Sequence, residues 1–357
     1  MPVERNPSKP VPGDWRGSDL AAEEPWRIPV PDAALSALAE AAARLTPEAI
    51  QLPPSVVPSA ALVDLANQVR EHLSGPNGFV VLTGFPVGDD SLTETKLAYW
   101  TLGMHLGLPV SQDRNGTLIG HVEDRGADIS RHDQRGHQSA AALPFHADRT
   151  DLVSLLCVRG AASGGLSRLA SSAAVHNTLL DERPDLLAVL YDPLPHDRRG
   201  EHRADEKPWC ALPVFSSVEG NFTARYVRRF IVGSQRWPDA PRLTPRQLEA
   251  LDHVDEILQR PGVALTMTLA PGDVQIIDNL RLLHARSVFE DERHARGRLL
   301  LRLWLAHAAS PPLPASYSAL YGSVQAGVLR GGVWPHGAWP PDLGVAVKRL
   351  AESGAIG

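Results

Sequence analysis

The sequence has 357 residues, 43% of them hydrophobic and 21% charged, with a net charge of -6 at pH 7. These values describe a globular protein with a substantial core and exclude a disordered chain. The acidic balance and the absence of a basic block give no reason to expect a nucleic-acid partner, and no apolar run is long enough to span a membrane. The start of the chain is polar and only two cysteines occur, so we expect a cytoplasmic protein without disulfides.

Helices are predicted in the first hundred residues. Apolar residues recur at helical spacing in segments 32–45 and 59–75, and a further helix is expected to end near Gly107. Segment 78–85 lies between glycines and is typical of a core strand. Residues 1–75 are therefore expected to form an N-terminal arm and helices that pack on the core.

From about residue 108 the pattern changes to short strand-like segments separated by Gly, Asp, Asn and Pro. Helical spacing returns at 172–190, where it is broken near Pro184, and again at 244–258. We expect a strand-rich domain over 76–308 with a helical and irregular insert at about 172–260. A Pro- and Gly-rich tail follows at 309–357, with one short helix predicted at 343–350. This order favours an α+β fold with a mainly β core, an antiparallel barrel or jelly roll with flanking helices.

A His-x-Asp/Glu motif, which can hold a metal ion, occurs three times, in the pairs His121/Glu123, His146/Asp148 and His253/Asp255. In a strand, side chains two residues apart point to the same face, and an apolar core strand is predicted directly after the second pair. The third pair lies in a predicted helix, where such side chains diverge, and turn residues end the strand that holds the first. We therefore favour His146 and Asp148. The polar segment 124–139 just upstream is either a solvated loop or a lid.

A usable metal site needs a third ligand, and we choose His284, which follows a strand and a turn in the second half of the chain. Two histidines and one carboxylate on one face of a metal ion are the ligand set of non-haem Fe(II) oxygenases. Catalytic zinc sites also keep a position open. From the residues alone, a cupin-like metal sensor and a metal-dependent hydrolase or lyase stay open beside the oxygenase.

Several short motifs follow one another in the order His146-Ala-Asp148, Gly164-Gly165, Pro271-Gly272-Asp273, Asp278-Asn279, His284-Ala-Arg286 and Arg298-Leu-Leu-Leu-Arg302-Leu-Trp304. Their order and spacing resemble the taurine dioxygenase and clavaminate synthase superfamily over roughly 78–304. The resemblance implies a double-stranded β-helix, or jelly roll. It also implies an Fe(II)- and 2-oxoglutarate-dependent oxygenase that consumes O2.

The resemblance implies roles for individual residues. The implied iron ligands are His146, Asp148 and His284. Arg298, fourteen residues after His284, corresponds to the arginine that binds the distal carboxylate of 2-oxoglutarate. A guanidinium suits that role because it forms two parallel charged hydrogen bonds with a carboxylate. Arg302 is a second candidate for the cosubstrate, and Ser167 occupies the position of a cosubstrate-binding threonine.

The implied reaction oxidises a substrate C–H bond and releases succinate and CO2. Related halogenases replace the carboxylate ligand with a small residue, so the presence of Asp148 favours hydroxylation. The expected substrate is a small polar molecule such as an amino acid derivative or another acid. The candidates to bind it are Arg225, Arg228 and Arg286, and a homo-oligomeric assembly stays open.

Overall fold

The computed structural model describes residues 8–22, 24–52, 54, 57–88, 92–129, 131, 134–292 and 296–335. Within these residues the α-helices are, in chain order, α1 (Gly17–Leu20), α2 (Asp32–Arg44), α3 (Ala60–Ser74), α4 (Leu92–Leu106), α5 (Ser172–Glu182), α6 (Pro184–Leu190), α7 (Arg228–Gly233), α8 (Pro245–Gln259) and α9 (Ser318–Tyr321). None of these helices is long and apolar enough to cross a membrane.

The strands of the described chain are mostly short. They are, in order, β1 (Arg27–Pro29), β2 (Phe79–Thr83), β3 (Leu108–Pro109), β4 (Ile119–Val122), β5 (Leu143–His146), β6 (Leu152–Arg159), β7 (Ser163–Gly164), β8 (Ser167–Ser171), β9 (Leu194–Asp197), β10 (Trp209–Leu212), β11 (Phe215–Val218), β12 (Asn221–Ala224), β13 (Leu265–Met267), β14 (Val274–Asp278), β15 (Leu282–Arg286), β16 (Phe289–Glu290) and β17 (Leu299–Ala306).

Capping side chains explain where the long helices begin. The Ser59 hydroxyl accepts a hydrogen bond from the Leu62 backbone N–H at the start of α3, and Thr244 forms a capping box with Gln247 at the start of α8. The helices predicted at 32–45, 59–75 and 244–258 are confirmed, and the helical segment 172–190 divides at Pro184 into α5 and α6. The short helix predicted at 343–350 lies outside the described residues.

Two sheets carry the architecture. The larger has the order β1-β2-β14-β6-β17-β3, with β4 also paired to β17. The smaller has the order β13-β8-β15-β5. Apart from the parallel pair β1 and β2, the ladders of both sheets are antiparallel. Most of these pairs join strands distant in sequence, so the sheets depend on tertiary contacts rather than on hairpins.

Apolar side chains arrange the protein in layers. Side chains of α2, α3 and α4 pack on the outer face of the larger sheet, and those of α5, α6 and α8 pack on the smaller one. A third cluster joins the facing sides of the two sheets; it includes Phe79, Val153, Leu169, Leu282 and Leu300. This third layer sets the separation between the sheets, and the two predicted histidine ligands lie on the smaller sheet.

A buried ion pair fixes the segment after β17. Arg330 and Asp151 are 0% and 1% exposed, and the Arg330 Nε donates to Asp151 Oδ1 over 2.7 Å. We expect Arg330→Ala to lower the free energy of unfolding by about 3–5 kcal/mol, because it leaves a buried carboxylate without its countercharge. Urea denaturation measures this loss. The exposed pair between Arg203 and Asp205 is the control, and Arg203→Ala should change stability by no more than about 0.5 kcal/mol. Equal losses for both variants would contradict the prediction.

Candidate metal centre and cosubstrate site

Strand register brings the two predicted histidine ligands together. His146 ends β5 and His284 lies in the middle of β15, and the two residues are direct partners across the antiparallel ladder. Directly opposed side chains in such a ladder are close neighbours on one face of the sheet. The two ring centroids are 4.2 Å apart. The third ligand chosen from the sequence therefore lies beside the first.

Asp148 is held in place by the side chain of Asn279. The Asn279 amide donates to the carbonyl oxygens of Asp148 and Thr150 over 2.8 and 2.7 Å, and its own oxygen accepts from the Asp148 N–H over 2.8 Å. Arg225 Nη1 also donates to the Asp148 carbonyl over 3.0 Å. These bonds fix the backbone at the point where the chain leaves β5, so the carboxylate turns toward the histidines. This is the structural role of the Asp278-Asn279 turn.

The Asp148 carboxylate is oriented by two donors on β17. Its Oδ2 accepts from Arg302 Nη1 over 3.2 Å and from Trp304 Nε1 over 2.9 Å, and lies 3.7 Å from His284 Nε2. Burial by itself would raise the pKa of Asp148, but the Arg302 guanidinium and the His284 ring hold that pKa well below its usual range. The carboxylate is therefore ionised, and Oδ1 is left facing His146.

The three side chains fit a divalent metal ion. Their ligand atoms all lie within 4.8 Å of one another. His146 Nδ1 lies 2.8 Å from the Pro144 carbonyl, which can only accept, so Nδ1 carries the proton and Nε2 keeps its lone pair. Burial and the nearby His284 lower the pKa of His146 to about 4, so its ring is neutral at physiological pH. Two imidazoles and one carboxylate match the Fe(II) ligand set.

A small cavity of about 50 Å³ adjoins the three ligands. Both histidines line it, together with three arginines and one hydroxyl, from Ser167, Arg286, Arg298 and Arg302. Arg298 is 6% exposed, and its Nη1 is buried without a hydrogen-bond partner. Ser167 Oγ donates to Gln275 Oε1 over 3.0 Å and keeps its lone pairs. This cavity offers the charge and donors that a buried carboxylate requires.

Arg286 lies in this small cavity rather than with the other two predicted substrate arginines. Its Nη2 donates to the carbonyl oxygens of Ser139 and Ala141, whereas Nε and Nη1 are buried without partners. Burial, and then the like charge of Arg298, lower the pKa of Arg286 to about 10. Two buried guanidinium groups with unused N–H donors thus lie close together beside the metal ligands. A bound carboxylate would relieve both the repulsion and the unpaired donors.

A larger cavity of about 470 Å³ opens on the other side of the ligands. Arg225 and Arg228 both line it, as does His137 from the 124–139 segment. Arg228 is already paired, with Asp252 and with Asp255 at 3.1 Å. His137 also lines the small cavity, so the 124–139 segment, predicted as a loop or a lid, borders both cavities.

The sequence matches the family model described as taurine catabolism dioxygenase TauD, TfdA family, over residues 42–304. The chain belongs to the TauD/TfdA dioxygenase family. FR-33289 synthase from Streptomyces rubellomurinus is 30% identical to it over 325 residues, covering 87% of this chain and 94% of that protein. Clavaminate synthase 2 from Streptomyces clavuligerus is 28% identical over 277 residues, covering 69% and 78%.

Solved structures of other oxygenases show a similar fold. An asparagine oxygenase in complex with Fe(II), 2S,3S-3-hydroxyasparagine and succinate superposes with a TM-score of 0.60 at 20% identity, covering 88% of this chain and 100% of that one. Family membership makes this protein an Fe(II)- and 2-oxoglutarate-dependent oxygenase. The predicted family, cofactors and enzyme class are confirmed.

The other two His-x-Asp/Glu pairs of this dioxygenase lie elsewhere. His253, on α8, lies 3.4 Å from both Glu182 and Glu256, in an ion-pair network on the helix surface. His121 lies on β4, 3.5 Å from Glu123. Neither pair belongs to the three-residue group whose ligand atoms converge.

Several site residues of the dioxygenase were not among the sequence candidates. Trp304 ends the Arg298-Leu-Leu-Leu-Arg302-Leu-Trp304 motif, but it was not predicted to bind the ligand carboxylate, to which it donates. Arg149 and His196 line the larger cavity, and nothing in their local sequence distinguishes them from surface residues. The one available signal was the position of Arg149 in the sequence, directly after the predicted ligands His146 and Asp148.

Proposed function

We propose that this dioxygenase hydroxylates a C–H bond of a small polar molecule, such as an amino acid derivative or another acid, with His146, Asp148 and His284 as its iron ligands. One observation carries the proposal. The converging ligands lie between two cavities, a small one with two unpaired buried arginines and a larger one open to a substrate. That is the arrangement expected when a cosubstrate and a substrate must meet at one metal ion.

In the proposed site, the small cavity takes 2-oxoglutarate. Arg298 binds its distal carboxylate, and we add Arg286 as a second donor because its unused N–H groups border the same space. The Ser167 hydroxyl completes the contacts. When bound, the iron supplies oxygen activation while 2-oxoglutarate supplies two electrons and becomes succinate and CO2. The protein's own part is to orient both molecules and exclude water.

Arg302 has a second role in the proposal. It was a sequence candidate for the cosubstrate, and it lines both cavities. Its guanidinium donates to Asp148 and, through Nε, to Gln112 Oε1 over 2.8 Å. We therefore propose that Arg302 mainly positions the carboxylate ligand and borders the cosubstrate. The 124–139 segment is proposed to act as a lid, because Arg135, Gly136 and His137 line the larger cavity.

The finer features of the architecture are also proposals. We propose that the two sheets are the halves of a double-stranded β-helix, preceded by an N-terminal arm and helices at 1–75 and followed by a tail at 309–357. The insert at about 172–260 matches the position of α5 to α8 and β9 to β12. We propose a cytoplasmic location, which the two free, buried cysteines support.

An anaerobic titration tests the function. Fe(II) and then 2-oxoglutarate are added to metal-free protein, and the weak visible charge-transfer band of their chelate is recorded. We expect the band to form and small acids to perturb it. Iron binding without a band would contradict the proposed cosubstrate site and favour a metal sensor or a hydrolase.

A further inference from the structure

The larger cavity carries a strong excess of positive charge. Four acidic residues line it, Asp148, Asp197, Glu201 and Asp255, against eight arginines, Arg135, Arg149, Arg198, Arg199, Arg225, Arg228, Arg229 and Arg302. Arg225 and Arg302 are buried and the other six are half-buried, and buried positive charges are costly unless they are paired with carboxylates or with a bound anion. The arginines without a carboxylate partner therefore mark the place where an anion would bind.

Each carboxylate of the cavity already has a cationic partner. Arg302 pairs with the metal ligand Asp148, Arg135 with Glu201 at 2.6 Å, Arg228 with Asp255, and Arg236 with Asp197 at 2.9 Å. An ammonium group entering the cavity would find no acidic side chain free to pair with it among the described lining residues. The cavity is therefore better suited to an anion than to a zwitterion.

Arg225 is the most buried guanidinium of the cavity that has no carboxylate partner among the described residues. The side chain is 3% exposed, and Nη1 donates to the carbonyl oxygens of Ala147 and Asp148. Its Nε is buried without any hydrogen-bond partner, and the guanidinium lies 5.8 Å from the ring of Tyr321. This guanidinium, which has no carboxylate partner among the described residues, is thus held beside the metal ligand.

Arg149 is another arginine of the larger cavity that has no carboxylate partner among the described residues. In the described structure its side chain contacts no carboxylate, and Nε donates to the Leu320 carbonyl. Its backbone carbonyl accepts from Gly332 N–H over 2.6 Å, and a Cβ at Gly331 would collide with that oxygen. The glycine pair thus packs the C-terminal segment against Arg149 and fixes its position.

We propose that Arg149 and Arg225 form a subsite for a doubly charged phosphoryl group, R–PO3²⁻, so that the substrate is a small phosphate ester or phosphonate. This inference rests on the proposed function and narrows its substrate class. Two unpaired guanidinium groups match two negative charges, and their forked donors match tetrahedral oxyanions. Because Arg225 bonds to the Asp148 carbonyl, the oxidised carbon lies within a few bonds of the phosphorus.

His196 completes this wall of the cavity without adding charge. Its Nδ1 lies 2.9 Å from the Leu194 carbonyl and therefore carries the ring proton, so the buried, unpartnered Nε2 is an acceptor. Burial, and then the charge of Arg225, lower the pKa of His196 to about 3. The neutral ring is available to accept a hydrogen bond from an O–H or N–H group of the substrate.

A ligand series on the wild-type enzyme tests the subsite. Calorimetric titrations are made at pH 8 into anaerobic enzyme loaded with Fe(II) and 2-oxoglutarate, with propyl phosphate, propylphosphonate, propane-1-sulfonate and butyrate. We expect the better of the two phosphorus ligands to bind at least tenfold more tightly than the sulfonate, which has the same shape and one charge fewer. The stronger of the two identifies the source of the phosphoryl group. Equal affinity for phosphorus ligands and sulfonate would overturn the proposal.

Variants assign the effect to the two arginines. Arg149→Gln and Arg225→Gln should each weaken the preferred ligand at least tenfold, while Arg149→Lys, which keeps the charge, should weaken it less. Arg203→Gln removes an exposed charge outside the cavity and should change the Kd by less than twofold. Unchanged affinity in both glutamine variants would overturn the assignment.

The visible chelate band separates this inference from the proposed function. If the band forms but phosphorus ligands have no advantage over sulfonate, the oxygenase stands and the subsite fails. If phosphorus ligands bind selectively but no band forms, the subsite stands and the proposed cosubstrate site fails.

Discussion

Replacing Asp148 with alanine should abolish substrate oxidation, with turnover falling on the order of 10³-fold or more, because the iron loses its only anionic ligand and the several kcal/mol it supplies. Fe(II) affinity should fall as well, since only the two histidine ligands remain. The alanine variant also removes the carboxylate oxygen to which Arg302 and Trp304 donate their hydrogen bonds. Asp148→Asn keeps an oxygen for those donors and should be equally inactive. Succinate formation, substrate oxidation and Fe(II) binding are the measurements.

His253→Ala is the matched control for this experiment. It removes a histidine from the same type of His-x-Asp motif, but one that lies half-buried on α8, 3.4 Å from both Glu182 and Glu256 and away from the metal ligands. We expect turnover within about twofold of wild type, as for most surface substitutions. Wild-type turnover in Asp148→Ala would mean that another carboxylate binds the iron, and an inactive His253→Ala would overturn the choice among the three motifs.

Replacing Arg298 with alanine should raise the Kd for 2-oxoglutarate by about 100-fold or more, because removing one partner of a buried charged pair costs about 2–5 kcal/mol. Fe(II) affinity should not change, since no hydrogen bond joins Arg298 to the three ligands in the described structure. The anaerobic chelate band, followed as 2-oxoglutarate is added, measures the cosubstrate affinity directly.

Arg298→Lys separates charge from geometry in the same assay. It keeps a positive charge beneath the cosubstrate but cannot form two parallel hydrogen bonds, so its Kd should lie between those of wild type and alanine. Undiminished affinity in Arg298→Ala would show that Arg286 or Arg302, which line the same cavity, binds the distal carboxylate instead.

Local patterns were sufficient for the separate elements of the fold. The helical spacing of apolar residues predicted α3 and α8 within about a residue at each end. In an extended segment, the spacing of Arg298, Arg302 and Trp304 puts their side chains on one face, and all three border the site or its ligand. These signals are readable because each depends on neighbours a few residues away in the chain.

The sequence by itself identified the pair His146 and Asp148, because the short His-x-Asp spacing keeps the two side chains close, although β5 ends at His146 and the Asn279 side chain positions Asp148. Only the tertiary structure decided that His284 lies opposite His146, since the register between β5 and β15 joins segments distant in sequence. It also put Arg286 beside Arg298, and left Arg149 and Arg225 without carboxylates in the larger cavity. An arginine's role depends on which charges the fold brings near it, and local sequence does not carry that information.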